Sequence, residues 1–188
     1  MNLMILAHPK FDQSIANKTI VEALKESGVP LDIRNIHELY PDYQIDIKAE
    51  QENLLKYQNI ILQYPFYWYS MPAILKHWID EVFEYGFAYG NEGDKLKGKN
   101  LIPSFTVGSS KESYSALGFQ HFRIYEYCKQ LEQIAYYTQM HYIEPIYSYE
   151  TSLAAGYSKK SIIKVAYQHA ERIIHQLQLV DEMHLQEK

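Results

Sequence analysis

The stretch Asn59–Met71, NIILQYPFYWYSM, constrains the chain more than any other. Ile60-Ile61-Leu62 is a short apolar run of the kind that forms a strand buried on both faces. Pro65 has no N–H to give to a ladder and ends it. Tyr64, Phe66, Tyr67, Trp68 and Tyr69 crowd around that proline. Ser70 and Pro72 then open an apolar-striped helix expected over Met71–Phe83, with serine near the cap and proline in the first turn. A buried strand ending in an aromatic loop and a helix start is a ligand-binding layout in open α/β sheets. The plainer reading is an aromatic plug on the end of a core.

The rest of the chain supplies more units of the same kind. Asn2–Ala7 is a short apolar strand ending at His8-Pro9, and Ser14 caps a helix over Ile15–Glu26 that buries Ala16, Ile20, Ala23 and Leu24 and is closed by Gly28. Leu31–Ile36 alternates as a partly exposed strand. His37–Ile47 reads as a long connection and Lys48–Tyr57 as a short charged helix. Tyr85–Lys99 holds four of the eight glycines and is expected to be a flexible surface loop. Leu101–Val107 is a fourth strand, in which Pro103 either argues against the strand or places a bulge. After a polar loop, Gly108–Gly118, a helix is expected over Phe119–Tyr137 with Phe122, Tyr125, Leu131 and Ala135 inward. His141–Tyr147 is a fifth strand, cut short by Pro145. Lys159–Leu179 is an amphipathic helix with Ile162, Ala166, Ile173 and Leu177 on one face, and 181–188 is expected to fray. Strands alternating with helices predict one α/β domain over 1–188, a three-layer sandwich around a five-stranded parallel sheet of order 2-1-3-4-5.

Composition narrows the partners. A net charge of -5 argues against nucleic acid, which calls for a basic surface. Eighteen tyrosines suit interfaces and planar-ligand pockets, or reflect drift alone. Cys128 stands alone, the N-terminus lacks a signal-peptide core and no window approaches a transmembrane span, so a cytoplasmic setting is expected.

In such a sheet ligands gather beyond the carboxyl ends of the first and third strands. The loop after strand one delivers Ser14, Asn17 and the free N–H groups of a helix start, which favour a phosphate, with positive charge expected from His8 and Lys10. For Ser14 the alternative is a cap and nothing more. The loop after strand three offers flat aromatic surface. The loop Thr106-Val107-Gly108-Ser109-Ser110, after strand four, is small and polar and lets backbone N–H groups approach a ligand edge. Phosphate at one end, a planar ring in the middle and amides at the far edge describe flavin mononucleotide (FMN) better than a metal or a sugar. FAD stays open; the short chain without an adenosine-binding extension favours FMN. No dinucleotide fingerprint, Walker A loop or serine-nucleophile elbow is present. His77 and Glu81 share a helix face but lack a further metal ligand, so no metal site is expected. Cys128 reads as core.

The chain resembles the NAD(P)H quinone oxidoreductases of the flavodoxin-like superfamily, and among them small bacterial general stress proteins and ancillary subunits of potassium-efflux systems. The residues that carry the resemblance are AHP at Ala7–Pro9, SIAN at Ser14–Asn17, LYPDYQIDIKAEQ at Leu39–Gln51, QYPFYWYSMPAILKHWIDEVFEYGFAYG at Gln63–Gly90 and LKGK at Leu96–Lys99. It implies a homodimer with one flavin per subunit near the interface. His8, Ser14, Ala16 and Asn17 would contact the phosphate end, Pro65, Phe66, Tyr67 and Trp68 the ring and ribityl chain, and Thr106, Val107, Gly108 and Ser109 the far edge. Val107 and Ser109 stand where the family commonly has Thr and Gly. Tyr114 and His121, with Gly118 between them, are the catalytic candidates that would stabilise charge on the flavin, the histidine one residue further along than in the family pattern.

The activity implied is hydride transfer from NAD(P)H to bound flavin and then to a quinone or similar acceptor. Two rivals are a regulatory flavoprotein docked peripherally on a membrane potassium-efflux transporter, and a flavodoxin-type electron carrier, against which the mild net charge argues.

Overall fold

A computed structural model describes residues 1–186. Six strands form one parallel sheet: β1 (Asn2–Leu6), β2 (Leu31–Asn35), β3 (Asn59–Pro65), β4 (Asn100–Thr106), β5 (His141–Tyr142) and β6 (Ile146–Ser148). The order is β2-β1-β3-β4, with β5 and β6 end to end along the far side of β4. Helices α1 (Ile15–Glu26) and α6 (Lys159–Gln186) cover one face; α2 (Ile36–Leu39), α3 (Ile47–Lys56), α4 (Ala73–Val82) and α5 (Lys129–Tyr137) lie towards the other. Because side chains alternate along a strand, Leu3 and Ile5 join the α3–α5 core while Met4 and Leu6 join the α1–α6 core. Every residue of β1 and β3 is buried, as a parallel sheet covered on both faces requires.

The expected sheet order holds, and the expected fifth strand is two strands. Leu101 C=O accepts from Ile143 N–H at 3.0 Å and Val107 N–H donates to Ser148 C=O at 2.7 Å, so the odd-numbered positions of β4 face that edge. Pro103 is one of them and has no N–H to donate. The ladder lapses opposite Glu144-Pro145, where two prolines would otherwise meet.

Other expectations are corrected. The helix predicted from Phe119 begins only as a 3-10 turn at Ile124–Cys128 and becomes α5 at Lys129. Phe119 and Phe122 are 85% and 56% exposed, Phe122 meeting the Tyr127 ring edge-on at 6.1 Å, and Tyr125 is also exposed; Leu131 and Ala135 do face inward. His121, at φ +62°, cannot continue a right-handed helix. The segment predicted as a flexible surface loop, Tyr85–Lys99, inserts Phe87, Ala88 and Leu96 into the core. The long connection after β2 contains the short α2. Where fraying is expected over 181–188, α6 runs on to Gln186, and 187–188 lie outside the described residues. Among the described residues no helix is long and apolar enough to cross a membrane.

Candidate functional site

Three loops meet beyond the carboxyl ends of β1, β3 and β4 around a pocket of about 310 Å³. It is lined by His8, Ser14, Ala16, Asn17, Pro65, Phe66, Tyr67, Thr106 and Gly108, with Thr151 and Ser152 from the chain after β6. Ser14 is the N-cap of α1: its Oγ accepts the Asn17 N–H at 3.1 Å. The remaining N–H groups of the first turn have no intrahelical acceptor and suit an anion. Asn17 is buried and held on two sides, accepting from Gln63 Nε2 at 2.8 Å and donating to Thr106 Oγ1 at 2.9 Å.

His8 is neutral here, contrary to the positive charge expected of it. Burial, reinforced by His37, pulls its pKa down to about 4. Its Nδ1 accepts the Lys10 backbone N–H at 3.1 Å, so the ring proton sits on Nε2 and is available to donate. Exposed Lys10 lines an adjoining pocket of about 280 Å³ with His8, Ser14 and Ser152.

The aromatic loop is a tight turn. Tyr67 and Ser70 exchange both backbone hydrogen bonds at 3.0 Å, and the two residues between them, Trp68 and Tyr69, have φ of +46° and +64°. This two-residue turn favours Asn and Gly at its centre; two aromatics there store backbone strain. Phe66 stacks on Phe105 at 5.5 Å between ring centroids, Tyr69 on Tyr127 at 5.4 Å, and Tyr67 sets its edge to His8 at 6.3 Å. Trp68 stands at the tip, 93% exposed, and does not line the pocket.

From the third loop Thr106 and Gly108 reach the pocket, and Val107 and Ser109 do not. The Val107 side chain is fully buried in the core, and Ser109 C=O accepts from Glu150 N–H at 3.0 Å. Tyr114 is buried beside the aromatic wall, 6.2 Å from Phe66 and 5.9 Å from Tyr149 between ring centroids. Burial, then the neighbouring Tyr69 and Tyr127 hydroxyls, push its pKa up to about 12, so it stays a phenol with a proton to donate. His121 is exposed in a turn in which its N–H donates to Gly118 C=O at 3.0 Å, and it does not line the pocket. That turn needs glycine at 118, since a Cβ there would meet the carbonyl oxygens of Ser113 and Glu112 at 2.3 and 2.4 Å.

Thr151 and Ser152 escaped the sequence reading. The signal was a pair of small hydroxyl residues just beyond a strand's carboxyl end, where ligands gather in this architecture. Among the described residues no group of three or more His, Cys, Asp or Glu side chains could hold a metal ion. The donor set of neutral N–H and O–H groups at a helix start, beside flat aromatic surface, fits the phosphate ester of a planar ring system.

Several known proteins are similar to this chain over most of its length. The glutathione-regulated potassium-efflux system ancillary protein KefF of Enterobacter sp. is 40% identical over 146 residues, 77% of this chain and 81% of that protein. The crystal structure of general stress protein 14 from Treponema denticola in complex with FMN superposes with a TM-score of 0.83 at 28% identity, covering 93% of this chain and 98% of that one. An NADPH-quinone reductase from P. pentosaceus superposes with a TM-score of 0.75 at 26% identity, covering 92% and 97%. Residues 2–174 match the family described as having the flavodoxin-like fold, and by that match and its sheet order this chain belongs to the flavodoxin-like fold family.

Proposed function

We propose that the chain is an FMN-dependent NAD(P)H oxidoreductase acting on quinones or similar acceptors. The observation that carries the reading is the pocket itself, which sets the start of α1 beside an aromatic wall in a fold shared with an FMN-bound relative. Bound there, FMN would supply the redox chemistry, taking a hydride from NAD(P)H and passing it to the acceptor. The protein's part is to bind and orient. The first turn of α1, with Ser14, Ala16, Asn17 and the Nε2–H of His8, would hold the phosphate. Pro65, Phe66 and Tyr67 would lie along the ribityl chain and ring, and Thr106 and Gly108 at the far edge. Tyr114 would donate its phenolic proton where negative charge develops.

Trp68 at the tip of the aromatic turn and Leu117 and Phe119 in the loop after β4 are 93%, 101% and 85% exposed, and in this reading they make up an apolar rim. We assign this rim to a homodimer that closes the acceptor slot. The experiment is to purify the chain with added FMN, record its visible spectrum, and follow NADH and NADPH oxidation with a simple quinone. A flavin spectrum with quinone-dependent oxidation is expected; a colourless protein that neither FMN nor FAD reconstitutes overturns the reading.

The similarity to KefF supports a second reading, in which the dimer docks on a membrane potassium-efflux transporter and the oxidoreductase activity is secondary. Retention of the flavin-loaded protein by vesicles carrying such a transporter, and not by plain vesicles, would favour it.

A further inference from the structure

A chain of polar side chains, exposed at Arg172 and buried from Ser148 inward, crosses the sheet on its α1–α6 face. Arg172 Nη2 donates to Ser148 Oγ at 2.6 Å. Ser148 Oγ lies 2.9 Å from His169 Nδ1, and His169 Nε2 lies 2.8 Å from Ser104 Oγ. Ser104 Oγ donates to Gln63 Oε1 at 2.6 Å, Gln63 Nε2 to Asn17 Oδ1 at 2.8 Å, and Asn17 Nδ2 to Thr106 Oγ1 at 2.9 Å. Gln63, Ser104 and His169 are wholly buried, the first two in the sheet between Leu62 and Tyr64 and between Pro103 and Phe105, the third on α6.

The direction of this chain is set at its outer end. A guanidinium can only donate, so Ser148 accepts from Arg172 and turns its single proton to His169 Nδ1. The ring then carries its proton on Nε2 and gives it to Ser104, whose own proton goes to Gln63. The Gln63 and Asn17 amides follow in the same sense. In the reverse sense His169 Nδ1 would bear the proton and the buried Ser148 hydroxyl, already facing two donors, would lose its acceptor. Burial, then the positive charge of Arg172, hold His169 at a pKa of about 3, which keeps the ring neutral with one N–H to place.

At the inner end this order matters to the ligand. Thr106 Oγ1 accepts from Asn17, so its proton is free for the pocket that it lines. Ser14 Oγ accepts from Asn17 N and Nδ2, at 3.1 and 3.4 Å, and its proton is likewise free. We propose that Gln63, Ser104 and His169 are positioning residues: the chain started by Arg172 holds the Asn17 amide so that Ser14 is a donor at the phosphate end of the pocket, with Thr106 a donor at its far edge, and so selects a ligand bearing a phosphate. The proposal rests on the flavin reading above and adds a cause for a preference for FMN over riboflavin.

The test has two arms. In the apo protein, ring ¹⁵N shifts of His169 should report the Nε2–H tautomer, unchanged between pH 5 and 8; an Nδ1–H ring overturns the proposal without reference to any flavin. In the second arm, FMN and riboflavin are titrated against wild type and Gln63→Leu, with flavin fluorescence as the readout. The leucine leaves the Asn17 amide free to turn, and its oxygen can then take the Ser14 proton away from the phosphate. FMN affinity should fall roughly ten-fold or more, the loss of one charge-assisted hydrogen bond, and riboflavin affinity should stay within about two-fold. Equal weakening of both flavins means lost packing and overturns the relay. Wild-type protein that binds neither flavin overturns the flavin reading itself, a result separate from the other two. If Gln63→Leu does not fold, the tautomer of the wild-type ring still decides.

Discussion

Asn17 donates its side-chain N–H to Thr106 Oγ1 at 2.9 Å, joining the first turn of α1 to the end of β4 across 89 positions of sequence. The bond ties the proposed phosphate end and the proposed far edge of the pocket to each other. Asn17→Asp keeps the shape and the acceptor for Gln63, but it loses the donor and adds a negative charge beside the proposed phosphate. FMN affinity should fall at least ten-fold, measured by fluorescence titration at fixed ionic strength. Unchanged affinity would remove Asn17 from the phosphate end.

Tyr114 packs against Phe66 as a phenol that holds its proton far above neutral pH. Tyr114→Phe preserves the ring contacts and deletes the donor. FMN should stay bound while quinone-dependent NAD(P)H oxidation slows by about one to two orders of magnitude, between the value of an ordinary hydrogen bond and that of a fully formed oxyanion donor. Steady-state rates with the flavin content checked by absorbance decide it, and unchanged rates take Tyr114 out of the mechanism.

Acid should weaken the apo protein through two histidines. His8 and His169 have folded pKa values of about 4 and about 3 against 6.5 for a free ring. Between pH 6.5 and 4 the unfolded chain therefore binds protons that the folded chain refuses, and stability falls as pH falls through that window. Each histidine contributes a slope of about 1.4 kcal/mol per pH unit there, with His8, which is partly solvent-accessible, below that limit. Urea midpoints of wild type and His169→Asn across pH 4–7 measure the effect; identical slopes for the two proteins contradict it for His169.

Glu50 explains a motif on the far side of the molecule. Its carboxylate is wholly buried and accepts from Arg34 Nε at 3.1 Å and from Arg34 Nη2, from Tyr40 OH at 2.6 Å and from Trp78 Nε1 at 3.0 Å. These bonds tie α3 and α4 to β2 and fix the route of the connection that contains Tyr40. Glu50→Ala leaves a half-buried guanidinium and two buried donors without their acceptor and should cost about 3–5 kcal/mol, or roughly 10 °C in Tm. Calorimetry of the apo protein measures it, and a loss below about 1 kcal/mol would mean that solvent reaches Arg34.

The strand–helix alternation and the capped start of α1 were legible because local rules govern them. Ser14 caps α1 and the run Ile60-Ile61-Leu62 lies buried in β3, both where spacing and composition place them. What could not be read depended on distant partners. Gln63 and Ser104 look like polar lapses in apolar strands until His169, 65 positions beyond Ser104, arrives on α6. Phe122 and Tyr125 have the spacing of a buried helix face, but the φ of His121 ends any helix coming from Phe119, and both rings are left exposed. Glu50, charged in sequence, is buried because Arg34, Tyr40 and Trp78 converge on it.

Trp68 separates folding from assembly. Its side chain is 93% exposed, so the isolated chain gains almost nothing from burying it, and its φ of +46° is a conformation that glycine adopts without strain. Trp68→Gly should therefore leave the stability of the monomeric chain unchanged or raise it by about 0.5–1 kcal/mol. If the apolar rim closes a homodimer, the same substitution removes a large aromatic from its centre, and the dimer should dissociate at concentrations at least ten-fold higher than for wild type. Sedimentation velocity over a dilution series and thermal melts at low protein concentration read the two effects separately. Opposite signs are what an interface residue held in a strained turn must show; a large loss of monomer stability with assembly intact would make Trp68 a part of the fold and leave the rim without its anchor.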